Sequence, residues 1–179
     1  SATLALAGFT SSETILEGRR GFWAVLSPNG HDESALTNGL GEQWEIFNNG
    51  LKPYANGVVA HPLQDGAIHL REIEGISAEQ ILSIHAQVHP LVMELMDRPN
   101  PRHGFDGKFS FQYCVAAGLV DGGGYPEQFS NERFNDPNIA SLLKKVTGTA
   151  SDTVDEDEAY LTVTLKDGRT IEHHVQHAT

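Results

Sequence analysis

The chain has 179 residues, 39% of them hydrophobic and 20% charged, with a formal net charge of −12 at pH 7. That length and mix describe a globular chain with a real core, and the acidic excess argues against nucleic acid as a partner, because phosphate binding needs a basic face. No apolar run approaches the ~20 residues of a membrane-spanning helix, and the N-terminal Ser-Ala-Thr-Leu-Ala-Leu-Ala-Gly lacks the basic flank of a signal peptide, so neither membrane insertion nor secretion is expected.

The first 26 residues predict short helical pieces separated by glycine. Ala2 to Ala7 ends at Gly8, Thr14 to Glu17 ends at Gly18, and Arg20 to Leu26 is closed by Pro28-Asn29-Gly30. Such pieces cannot enclose a core and read as the end of something larger. Asp32 to Leu40 suggests one more short helix. Trp44 to Phe47 and Leu51 to Tyr54 carry strand-type residues around the turn signal Asn48-Asn49-Gly50, with Pro53 confining the second to an edge or a strand end. From Val58 to Glu72 the apolar residues Val59, Leu63, Ala67 and Leu70 follow a helical period, and Pro62 fits only its first turn.

Ser77-Ala-Glu-Gln80 is a capping box. Ile81 to His89 alternates as a strand, with Ile84, Ala86 and Val88 on one face and Ser83, His85, Gln87 and His89 on the other. Lys108 to Val120 is nearly free of charge and has no proline, with apolar residues on two stripes, Phe109/Tyr113/Ala116/Ala117/Val120 and Phe111/Val115/Leu119. A helix apolar on both sides is buried. Gly122-Gly123-Gly124 ends it. The single cysteine, Cys114, lies in this stretch, can form no internal disulfide, and reads as an inert core residue of a reducing compartment.

Asp136-Pro137 caps a helix over 138–146, and Thr147 to Val154 suggests a strand. Asp155 to Glu158 is an acidic turn. Tyr160 to Leu165 and Arg169 to Val175, joined through Asp167-Gly168, form the clearest β-hairpin. Helices and strands mix without strict alternation. The expected fold is α+β, a two-layer sandwich of an antiparallel sheet with helices packed on one face.

No generic catalytic motif is present: there is no GxGxxG, P-loop, GxSxG, HExxH or CxxC. His173 and His177 share a strand face but stand ~13 Å apart, too far for one ion, so no metal site is expected. Lys52, before a proline break, and His61, in a first helical turn, could converge on one carboxylate, aided by the helix dipole. Tyr113 could donate a hydrogen bond or a proton. On the residues alone, an exposed lysine, a satisfied histidine and a core tyrosine are the plainer readings.

Three segments together carry a resemblance. Gly8-Phe-Thr10 through Leu16-Glu-Gly18 to Gly21-Phe22, Lys52-Pro-Tyr54 through His61-Pro62, and Lys108-Phe-Ser-Phe-Gln-Tyr113 through Leu119-Val-Asp-Gly122 occur in the order and pattern of the MmgE/PrpD family, and the Asp136-Pro137 helix and the Lys166-Asp-Gly168 hairpin fit as well. The resemblance implies a lyase or isomerase acting on a small polycarboxylate, by 2-methylcitrate dehydratase-like proton abstraction and elimination or by related decarboxylation or epimerisation. It implies a cytoplasmic homodimer without cofactor or metal, and a site shared between an all-helical domain and an α+β lid. Residues 1–40 would then be terminal helices of a mostly absent helical domain and residues 41–179 the lid. Lys52 and Tyr113 would be catalytic, and Lys52, His61 and Lys108 would bind substrate. The chain departs from the family pattern at Ala55-Asn56-Gly57, where proline, serine and cysteine are usual. The alternative expectation is a non-catalytic relative that binds small anions or assembles with a partner.

Overall fold

The computed structural model describes residues 2–27 and 29–178. Pro28, expected to close the third helical piece, lies outside them. The chain divides into two compact units, Ser1–Gly50 and Leu51–Thr179. Among the described residues no helix is long and apolar enough to cross a membrane.

The first unit is a series of local turns. It holds α1 (Ala2–Leu6) and α2 (Phe22–Leu26), then 3-10 turns at Glu33–Leu36 and Glu45–Asn48. Asp32 caps the first of these turns, accepting from the Ser34 backbone N–H at 2.9 Å. Thr14 to Glu17 forms turns, not the expected helix. Trp44 to Phe47 is likewise not a strand but enters the second 3-10 turn; among the described residues its own unit holds no strand, and β-propensity expresses itself only beside one. Gly21 is the one buried residue described here, while Leu6, Ile46 and Phe47 are largely exposed.

The second unit has two layers. A 3-10 turn (Val58–Ala60) leads into α3 (His61–Glu72), with Pro62 in its first turn as expected. Ser77 and Gln80 form the capping box before β1 (Ile81–Val88). There follow α4 (Pro90–Met96), α5 (Gly104–Gly107), α6 (Phe111–Asp121), α7 (Asn131–Phe134) and α8 (Pro137–Leu143), then β2 (Val146–Ala150), β3 (Ala159–Leu165) and β4 (Thr170–Val175). Leu51 to Tyr54 joins no strand.

The sheet order is β2-β1-β3-β4. β3 pairs antiparallel with β1 (Ile84 opposite Val163) and with β4 (Leu161 opposite His173). β1 and β2 pair in parallel, Ile84 opposite Val146, so the all-antiparallel expectation is corrected at this edge. The reason is topological. A hairpin reverses the chain, but the long excursion through α4 to α8 brings it back in the same direction, as a parallel pair requires. The helix expected over 138–146 therefore stops at Leu143, and the Lys145 carbonyl already accepts from Ile84 N–H at 2.9 Å.

Ile81, Ile84, Ala86 and Val88 of β1 and Leu161 and Val163 of β3 are buried, whereas Ser83, His85 and Gln87 are exposed. The helices cover that single apolar face. α6 lies deepest: every residue from Phe111 to Leu119 is buried. Ser110 caps it, accepting from Tyr113 N–H at 3.2 Å, and Gly122 ends it in the left-handed conformation at φ 72°. α3 packs against α6 at Gly118, where an added Cβ would lie 2.8 Å from the Ala67 Cβ. This close crossing brings the start of α3 and the loop before it onto the flank of α6.

Candidate functional site

The loop between Leu51 and Val58 is fixed to α6 and its surroundings by main-chain bonds. Ala55 N–H donates to the Gly124 carbonyl at 2.8 Å, and Gly57 N–H donates to the Lys108 carbonyl at 3.0 Å. Asn56 lies between these two anchors. Its carbonyl accepts from the exposed Lys52 ammonium at 3.3 Å. His61 stands close enough that the Lys52 charge acts on its ring.

His61 is only 3% exposed and its Nε2 has no hydrogen-bond partner among the described residues. The Tyr54 ring stands edge-on to it at 5.4 Å, while the Tyr54 hydroxyl donates to the Asp65 carboxylate. Burial, and next the neighbouring Lys52 charge, hold the His61 pKa below the ordinary histidine value, against the opposing pull of Asp65 and the Asn56 backbone. The ring is therefore uncharged at neutral pH. Its Nε2 is buried without a partner among the described residues.

A buried amide network supports the loop. Asn56 Nδ2 donates to Gln64 Oε1 at 3.1 Å and to Cys114 Sγ at 3.3 Å, and Gln64 Nε2 donates to the Gly123 carbonyl at 2.9 Å. A carbonyl only accepts, so the Gln64 amide has one allowed orientation, and Asn56 must present its NH2 in turn. Asn56 Oδ1 is left buried without a partner. Burial pushes the Cys114 thiol up to about 12, which makes it unreactive. Asn56 stood out in the sequence only as a departure from a family pattern, and Gln64 not at all. A polar residue between Leu63 and Ala67 on an otherwise apolar helix face was the available signal.

The other expected site residues are placed differently. Tyr113 is fully buried, its hydroxyl donates to the Gln128 carbonyl at 2.6 Å, and its ring packs on Phe129 and Phe134. Burial, followed by the Asp121 charge, drives its pKa upward. The Lys108 ammonium lies 6.0 and 5.9 Å from the Phe105 and Phe129 ring centroids, a cation–π arrangement. Lys52 stands close enough to His61 for its charge to act on the ring, whereas the Lys108 ammonium and the Tyr113 hydroxyl are engaged with Phe105, Phe129 and the Gln128 carbonyl. The histidines near the C-terminus are engaged elsewhere: His173 stacks on His69 at 4.0 Å, and His177 bonds Asp157 at 2.7 Å. Among the described residues no group of three or more His, Cys, Asp or Glu side chains is arranged to hold a metal.

Two curated relatives are similar over most of the chain. Cis-aconitate decarboxylase from Mus musculus is 27% identical over 179 residues, covering 93% of this chain and 36% of that protein. Cis-aconitate decarboxylase from Homo sapiens is 27% identical over 153 residues, covering 81% of this chain and 31% of that protein. The chain thus spans about a third of the length of these relatives. The family model of the MmgE/PrpD C-terminal domain matches residues 54–179, which takes in the His61 helix, the amide network and the whole sheet. With well over half of its length matched by that domain, the chain belongs to the MmgE/PrpD family.

Proposed function

We propose that this chain forms one wall of the active site of a lyase acting on a small polycarboxylate, by proton abstraction and elimination or by the related decarboxylation or epimerisation. The observation that carries the reading is the closeness of the Lys52 ammonium, held on the Asn56 carbonyl, to the buried His61 ring in the first turn of α3. Losing a proton or CO2 beside a carboxylate builds carbanion-like charge, which a nearby cation stabilises. Lys52 has one long hydrogen bond and an exposed side chain, so its remaining N–H groups are available to a substrate carboxylate. His61 sits in the first turn of α3, where its neutral ring and the helix dipole keep the neighbourhood receptive to an anion. Lys108 would bind substrate only if its ammonium leaves the Phe105 and Phe129 rings. Tyr113 serves as a proton or hydrogen-bond donor only if its hydroxyl leaves the Gln128 carbonyl. A helical domain beyond this chain would close the site, in a homodimeric enzyme.

The engaged Tyr113 hydroxyl favours one other reading, a non-catalytic domain that binds small anions or a partner. The two separate in one assay series. The chain is tested alone and joined to a helical domain of the family, with 2-methylcitrate, cis-aconitate and iminodisuccinate. Turnover is expected from the joined protein and not from the chain alone. Robust turnover by the 179 residues alone would contradict a shared site, and none from either form supports the non-catalytic reading.

A further inference from the structure

The geometry points to Asn56 as a positioning residue of this site: its side-chain amide, locked into the interior by Gln64 and Cys114, works with the Gly57–Lys108 main-chain bond to hold the peptide carbonyl that bonds the Lys52 ammonium. The inference rests on the proposed role of Lys52. The Gly57 N–H lies in the same planar peptide as the Asn56 carbonyl, so its bond to the Lys108 carbonyl holds that peptide from one side. The Asn56 side chain holds it from the other. It leaves the same Cα as that carbonyl, is 5% exposed, and donates both to α3, through Gln64, and to α6, through Cys114.

Asparagine is chemically particular here. The partners presented to it, an amide oxygen fixed by Gly123 and a thiol sulfur, call for a donor. Aspartate offers none when ionised, and an aliphatic residue leaves the Gln64 oxygen orphaned. The network also tolerates a cost, since Asn56 Oδ1 is buried without a partner. A residue kept only to fill space would be better apolar. Asn56 therefore acts through Lys52 and His61 and needs no contact with substrate.

The test follows the His61 ring by NMR through a pH titration of the 179-residue chain, in wild type, Lys52→Ala, Asn56→Ala and Gln64→Leu. Lys52→Ala removes the nearby positive charge, so the His61 midpoint moves up toward the ordinary value. Asn56→Ala releases the loop and with it Lys52, whose lowering effect on His61 outweighs the raising effect of the Asn56 backbone, so the midpoint moves up as it does in Lys52→Ala. Gln64 bonds Asn56 and the Gly123 carbonyl, so Gln64→Leu unlocks Asn56 without altering Lys52 or His61 and moves the midpoint the same way. It decides the matter if Asn56→Ala does not fold. A midpoint that moves in Lys52→Ala but stays at the wild-type value in Asn56→Ala and Gln64→Leu overturns the positioning role and leaves the proposed function standing. A midpoint unmoved by Lys52→Ala overturns the Lys52–His61 pairing itself, and the proposed function with it.

Discussion

His61 carries a stability signature that follows from its surroundings. Its folded pKa lies below the ordinary value of ~6.5, as does that of His173, which is also lowered mainly by burial. The unfolded chain therefore binds protons first as the pH drops. The stabilisation from a neutral His61 is complete above the unfolded value, falls away as the pH drops through ~6.5 toward the folded value, and is level below it. His177 has the opposite sign: Asp157 raises its pKa, so its contribution is present at low pH and lost as the pH rises through the folded value. Urea unfolding of wild type between pH 7.5 and 5.5 should show a decline that His61→Gln makes shallower. An equal slope in both would mean that His61 is not held neutral. Tyr113→Phe leaves the half-buried Gln128 carbonyl without its donor and should cost about 0.5–1.5 kcal/mol of unfolding free energy. A cost near zero would mean that the hydroxyl is free in solution. Cys114 should react with a thiol reagent only at the rate of unfolding, and prompt labelling of the native chain would contradict its burial.

The contact between α3 and α6 is where helix propensity and packing oppose each other. Gly118→Ala improves intrinsic helix propensity by about 1 kcal/mol. The new methyl group would meet Gln64 Nε2 at 2.7 Å and the Ala67 Cβ at 2.8 Å, and the Ala67 carbon cannot rotate away. Overpacking costs typically 1–3 kcal/mol, so packing wins and the variant should be less stable by about 1 kcal/mol. A rise in Tm would show that the helices have room. Elements whose signals are local were legible in the sequence. The alternation of β1, the Asp167-Gly168 turn, the Asp136-Pro137 cap and the uncharged run of α6 each determine their structure within a dozen residues. Elements that depend on a distant partner were not. β2 reads equally well as a parallel or an antiparallel strand until the path through α4 to α8 is known, and the Trp44 segment reads as a strand until no partner is found for it. The site divides the same way. Lys52 and His61 stand out by type and spacing. Asn56 and Cys114 are 58 residues apart, and no local pattern announces that they touch.

At the scale of the whole molecule, the 51–179 unit has one apolar sheet face, one covering layer of helices and a loop held against that layer by paired main-chain and amide bonds. The 1–50 unit holds its shape through local turns and leaves most of its large apolar side chains in contact with water. The overall charge of −12 makes the local positive charge at Lys52 the more consequential, because most of the acidic surface repels an anionic ligand. The account therefore stands on whether that ammonium acts on substrate. In the chain joined to a family helical domain, Lys52→Ala should lower kcat/KM for its polycarboxylate substrate at least about tenfold, or ~1.4 kcal/mol of transition-state stabilisation, with the folded state intact. An unchanged kcat/KM in a folded Lys52→Ala protein would contradict it.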